Sequence, residues 1–403
     1  MLLHLPKPQA EGYSPLYFLA ALGAGGLVVS FFMWLLFWLP YDTSMPVFDE
    51  LVGVLRGGPL HQQLALLGAW AGILVFAWFH FRLLVWNLQA YARFRRTEAY
   101  RQLRAGNTET QLLAAPLTVA MSINVSFVLG MAFVPGLWHV VEWLFPLALL
   151  AFLAVGGWAL ALLRDFWGRV LTEGGFDCTR NNNFAQLLPS FAMSMVAVGL
   201  AAPAAMSQTT GVVVASLLLS SLFLVIAVVS GAVQLVLGMR AMLEHGADKQ
   251  TAPTLWIMVP ILTLVSITLL RQSHGIEVHL GSGAAPVQTF NLLVYLLMAQ
   301  VAFGLLGWVV LRRYGYFRRF VLGDELAPGA YTLVCPGVAI AVMLYFFTNA
   351  GLVRADAIEP WGVAYWFFTA LALTTQAATI WLVLRLNRKH FGRTRREPQR
   401  SRA

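Results

Sequence analysis

Long apolar runs alternate with short polar stretches along the whole chain. A run of about twenty apolar residues is what crosses the hydrocarbon core of a bilayer as a helix. That ruler predicts ten segments, at 15–39, 64–89, 112–134, 137–163, 184–206, 210–238, 253–271, 287–312, 329–350 and 361–386. Short intervening loops make consecutive segments antiparallel neighbours. The predicted fold class is therefore all-α: a polytopic membrane protein whose ten helices form five helical hairpins. The expected organisation is a cytoplasmic N-terminus over 1–14, the membrane domain over 15–386 and a basic tail over 387–403 that lacks the apolar residues to fold. The N-terminus lacks the charged, apolar and small-residue order of a cleaved signal peptide, so the first segment reads as a retained helix.

The polar stretches set the expected orientation. Arginines cluster after the second segment (Arg93, Arg95, Arg96, Arg101, Arg104), after the fourth (Arg164, Arg169, Arg180) and after the eighth (Arg312, Arg313, Arg318, Arg319). Arg240 and Lys249 follow the sixth, and the tail is basic throughout. The other loops hold only Arg56, Arg271 and Arg354. By the positive-inside rule, both termini are expected in the cytoplasm. The stretch from Tyr91 to Leu103 reads as a basic amphipathic helix on the inner headgroups. The first outer loop, Pro40 to Gln63, has room for a short interfacial helix around Leu51–Leu55.

Within the segments, the odd-numbered ones differ from the even-numbered ones. The third carries Pro116 with Thr118, Ser122, Asn124 and Ser126; the fifth carries Pro189 with Ser190 and Ser194. The seventh carries Pro260 with Thr263, Ser266 and Thr268; the ninth carries Tyr331, Thr332, Cys335 and Pro336. The first has Gly23, Gly25 and Gly26 instead of a proline. Proline and glycine bend or weaken a helix, so these five are expected to be kinked. They are expected to form an inner ring around a central pore, with the leucine- and valine-rich even segments outside. Pro146 in the fourth segment is the exception. On this reading the pore-lining and substrate-contacting candidates are Cys335, Pro336, Tyr331, Gly25, Asn124, Phe191, Ser194 and Thr263. His80 with Arg82 reads as snorkelling at the interface, and Glu142 as exposed near the outer face.

Composition fits this picture and narrows the chemistry. Of 403 residues, 59% are hydrophobic and 11% charged, with a mean hydropathy of +0.70; soluble domains carry about a quarter charged residues. The net charge of +9 is therefore a matter of topology and lipid headgroups rather than nucleic acid. Two cysteines, Cys178 and Cys335, do not make a disulfide framework. No phosphate loop, metal cluster or nucleophile–base motif appears, so neither catalysis nor a cofactor is expected. The odd segments as bounded above contain no Asp, Glu, Lys or Arg in their interiors. A pore of that kind selects through helix ends, hydroxyls and backbone N–H groups, which favour anions. A proton relay would need intramembrane carboxylates or histidines.

Three stretches carry a family resemblance: Phe18-Leu-Ala-Ala-Leu-Gly-Ala-Gly-Gly26, Leu187-Leu-Pro-Ser-Phe191 and Tyr331-Thr-Leu-Val-Cys-Pro-Gly-Val-Ala339. They resemble the tellurite-resistance/dicarboxylate transporter family, which includes slow anion channels, sulfite exporters and malate permeases. The chain looks like a divergent bacterial branch of it. The resemblance implies a homotrimer in the bacterial inner membrane, with one pore per protomer for small anions such as sulfite-like oxyanions, inorganic anions or dicarboxylates. It places Cys335 where the family carries a gating Phe before the proline. Gate candidates are then Cys335 itself, Phe191, Phe346 and Phe347. The alternatives from other classes are a quinone- or haem-associated redox subunit and a non-conducting structural subunit.

Overall fold

The computed structural model describes residues 5, 10, 12–281 and 286–392, without the side chains of residues 180 and 280. The described residues form helices and loops, with no strand among them. Ten helices are long and apolar enough to cross a membrane, and we number them α1 (Pro15–Trp38), α2 (Leu60–Phe94), α3 (Asn107–Phe133), α4 (Leu137–Glu173), α5 (Phe184–Met206), α6 (Thr210–His245), α7 (Ala252–His279), α8 (Pro286–Arg313), α9 (Pro328–Val353) and α10 (Val363–Phe391). The chain is a multi-pass helical membrane protein. Each expected segment is one of these helices. Helix α10 runs past the expected boundary at 386, and 393–403 of the expected tail lie outside the described residues.

Two shorter helices lie between the spans. Phe48–Gly57 fills the loop where an interfacial helix was expected. The expected helix from Tyr91 to Leu103 is instead two pieces. Helix α2 continues to Phe94, the chain turns at Arg95–Thr97, and a separate helix runs from Glu98 to Ala105. Thr97 causes the restart: its hydroxyl accepts from the Tyr100 N–H, an N-cap that satisfies one free donor.

Odd and even helices are built differently. Each odd helix opens with a tight 3-10 stretch, namely Pro15–Tyr17, Asn107–Leu113, Phe184–Leu187, Ala252–Trp256 and Pro328–Leu333. All five even helices begin directly as α-helix. This corrects the expectation that the prolines bend the odd helices in mid-span. Pro116, Pro260 and Pro336 are each the third residue of the α-helical part, and Pro189 is the second. Proline has no N–H to bond back to the preceding 3-10 turn. These prolines therefore mark where 3-10 helix gives way to α-helix.

Burial follows the same division. In the most apolar stretch of each helix, 94% of residues are buried in α5 and 83% in α1 and α9, against 28% in α6 and α10 and 22% in α8. Each odd helix packs on the even helix that follows it. Contacts also run from α1 to α3, α3 to α5, α5 to α7, α7 to α9, and α9 back to α1. Small residues allow the last of these seams. A Cβ on Gly23 would overlap Val334, and one on Gly26 would lie 2.9 Å from Val338 Cγ1, so the two backbones approach more closely than side chains permit.

Polar ties close one face of the bundle, where odd helices begin and even helices end. Phe184 N donates to Thr254 Oγ1 at 2.9 Å, joining the starts of α5 and α7. Tyr331 OH donates to Asn387 Oδ1 at 3.0 Å, joining the start of α9 to the end of α10. Near the same face Glu109 is buried between Arg104 and Arg169, at 3.0 and 2.8 Å. At the opposite face Glu142 accepts from Ser207 Oγ and from the Gln208 N–H, at 2.8 and 2.7 Å. Glu142 was expected to be merely exposed; it caps the turn between α5 and α6.

Candidate functional site

A cavity of about 390 Å³ lies among the odd helices. All five contribute to its wall, and of the even helices only α4 does, through Phe145, Ala148 and Phe152. Its first lining residues, counted from the starts of the odd helices, are Leu22, Met121, Phe191, Pro260 and Cys335. Leu22, Phe191 and Cys335 are all buried, so this end is closed. At the other end the wall reaches Ser44 and His274, both exposed.

The sequence candidates divide on this geometry. Cys335, Asn124, Phe191, Thr263 and Phe346 line the cavity. Pro336, Tyr331, Gly25, Ser194 and Phe347 do not. Pro336 sits beside Cys335 but is buried outside the wall. Tyr331 is fully buried in a cluster with Tyr17, His390 and Phe391. A Cβ at Gly25 would meet Met121 and His80 instead of the cavity. Ser194 is buried with no hydrogen-bond partner among the described residues. Phe347 stacks on Phe290 of α8 and meets Phe368 of α10 edge-on, pointing away. The aromatic gate candidates are thus separated. Phe191 stands at the closed end, and Phe346 packs edge-on against Phe37 with ring centroids 5.4 Å apart.

Several hydroxyls of the odd helices bond within the bundle. Thr118, Ser122, Ser126, Ser190 and Thr268 lie within hydrogen-bond distance of backbone carbonyls, the usual fate of such side chains in apolar helices. Thr263 lies between α7, α9 and α8. Its oxygen is 3.2 Å from the Ala339 carbonyl and accepts from Gln300 Nε2 at 2.6 Å. Asn124 donates to the Ala120 carbonyl at 3.4 Å, and its side-chain oxygen has no partner among the described residues. Cys335 is a free thiol.

The residue that sequence reasoning missed is Arg271. The apolar run was ended at 271, which put this arginine at the mouth of a loop. Helix α7 continues to His279, and Arg271 lies inside it, lining the cavity. The expectation of odd helices without interior charge is therefore corrected. Its guanidinium donates to the Val198 carbonyl at 2.7 Å. No carboxylate lies within ion-pair distance among the described residues. Arg271 is the one fixed charge among the described residues lining the cavity, and His274, one turn on, is the one other ionisable group there besides the thiol. Four residues after Arg271, Gly275 still packs in the helix, against Ala204 of α5.

His80 is also corrected. It is buried, with Nδ1 2.7 Å from the Ala21 carbonyl and Nε2 2.8 Å from Ser122 Oγ. It joins α1, α2 and α3 and does not reach an interface.

The fold and cavity together define a class: a multi-pass helical membrane protein with an internal chamber that carries one cation and no carboxylate on its described wall. Comparison with protein-family models and with curated proteins finds no match for the chain.

Proposed function

We propose that the protein is an anion channel or transporter of a bacterial inner membrane, moving small anions through a pathway between its five odd-numbered helices. The observation that carries this reading is the charge of the chamber: among its described lining residues there is one arginine and no aspartate or glutamate. In a medium of low polarity such a wall favours anions over cations. In this reading the ten helices act as five hairpins. The odd helices form the conducting ring, and the exposed even helices face lipid or the neighbouring protomers of a trimer. In this reading the arginines after the even helices keep both termini in the cytoplasm, the chamber faces outward, and its closed end, at Phe191 and Cys335, lies toward the cell interior. The resemblance of the first, fifth and ninth helices to the tellurite-resistance/dicarboxylate transporter family supports the same reading.

A haem-associated redox subunit is the rival. It needs histidines whose ring nitrogens face a common space, whereas both nitrogens of His80 are engaged by Ala21 and Ser122. The test is reconstitution into liposomes after a visible spectrum of the purified protein. Flux of chloride, nitrate, sulfite or malate, lowered by Cys335→Phe at the closed end, is expected. A haem spectrum, or no flux for any of these anions, overturns the proposal.

A further inference from the structure

The chamber also indicates what kind of anion it takes. Val198 belongs to the last turn of the α-helical stretch Leu188–Leu200, where carbonyls lack intrahelical donors. Arg271 satisfies this carbonyl with one nitrogen. A guanidinium has five N–H donors in a planar fork, so the rest are left for a ligand. Arg271 is half-buried, and a cation partly withdrawn from water favours an anion beside it.

One cation balances one negative charge. The chamber lining includes Phe32, Met33, Phe145 and Phe152, which cannot replace the water around a dianion. Arg271 also sits near the open end. On α7 it lies eleven residues beyond Pro260, about 16 Å along the helix axis. Ile267 and Leu264 line the space between them. A bound anion therefore has its charge near the mouth and a largely apolar space beneath it, in which Asn124 and Thr263 are the polar side chains.

We propose that the chamber binds an organic monoanion, its carboxylate on the Arg271 fork and its apolar body directed toward Phe191 and Cys335. The inference rests on reading the chamber as an anion pathway, and it narrows the substrate class from small anions in general to monocarboxylates with an apolar body.

The test is equilibrium binding of radiolabelled hexanoate to the full-length protein in lipid nanodiscs, with empty nanodiscs subtracted. Competition by unlabelled hexanoate is expected to exceed that by acetate, malate, sulfate and uncharged hexanol by at least about tenfold, the equivalent of one lost ion pair or apolar body. Arg271→Gln is expected to lose hexanoate binding by a similar factor, and Arg271→Lys to retain part of it. The competition series on the unaltered protein decides the matter even if a variant fails to fold. Malate or acetate competing as well as hexanoate, or hexanol matching it, overturns the inference. Hexanoate binding without any anion flux upholds it and removes the transport reading. Nitrate or chloride flux without hexanoate binding does the reverse.

Discussion

Nε2 of His80 on α2 lies 2.8 Å from the hydroxyl of Ser122 on α3. The other ring nitrogen faces the Ala21 carbonyl, which can only accept, so Nδ1 carries the proton and Nε2 shares the single Ser122 hydroxyl proton with the Thr118 carbonyl, 3.0 Å from the same oxygen. One imidazole thus ties three helices together without a charge. Replacing it with leucine removes both bonds, and His80→Leu is expected to lower stability by about 1–3 kcal/mol. Thermal unfolding in detergent measures this. Ser122→Ala is expected to cost less, because Nδ1 keeps its partner.

The seam between α1 and α9 depends on missing side chains. A Cβ at Gly23 overlaps Val334, while Gly53 in the helix Phe48–Gly57 faces open space. Gly23→Ala is expected to destabilise by about 1–3 kcal/mol through overpacking. Gly53→Ala is expected to be neutral or to stabilise by up to about 1 kcal/mol, since alanine is the better helix former. Equal unfolding temperatures for the two variants would contradict the close approach of α1 and α9.

Glu109 is the buried member of an ion-pair cluster, and Arg104 and Arg169 are its partly exposed partners. Removing its charge leaves two guanidinium groups beside a buried amide. Glu109→Gln is expected to cost about 1–3 kcal/mol, below the figure for a fully buried pair because water screens both arginines. Glu98→Gln breaks an exposed pair with Arg101 and is expected to change stability by less than about 0.5 kcal/mol. Urea unfolding of both variants makes the comparison.

The two thiols give a test of access. Cys178 is exposed and Cys335 is buried at the closed end of the chamber. Thiol reactivity follows access as well as ionisation. Mass spectrometry after brief treatment with a thiol reagent is expected to find Cys178 modified first. In a Cys178→Ser variant, a small reagent is expected to reach Cys335 through the mouth at Ser44 and His274, and a bulky one is not. Equal labelling of Cys335 by both would mean the chamber is not closed as described.

The ten spans were legible because apolar length is a direct physical requirement of a bilayer. The contrast between odd and even helices was legible too, in Pro, Gly and hydroxyl positions. Other features were hidden for identifiable reasons. A proline in mid-helix and a proline ending a 3-10 lead-in look alike in sequence, which is why Pro116, Pro260 and Pro336 read as kinks. The apolar run of the seventh segment thins out after Leu270, so the sequence puts Arg271 at its edge, whereas the helix goes on to His279. His80 was set near an interface because the second segment was ended at 89; the helix reaches Phe94, about 21 Å beyond His80. Hydroxyls such as Thr118 and Ser126 mark the odd helices in the sequence, and their own helices absorb them.

The central claim is that the chamber among the odd helices is an anion pathway in which Arg271 holds the anion. Potential-driven uptake of anions into proteoliposomes, compared with uptake of potassium, tests it most directly. The account predicts anion uptake without potassium uptake, reduced severalfold by Arg271→Gln and largely kept by Arg271→Lys. Potassium uptake matching that of anions, or anion uptake unchanged by Arg271→Gln, would contradict it.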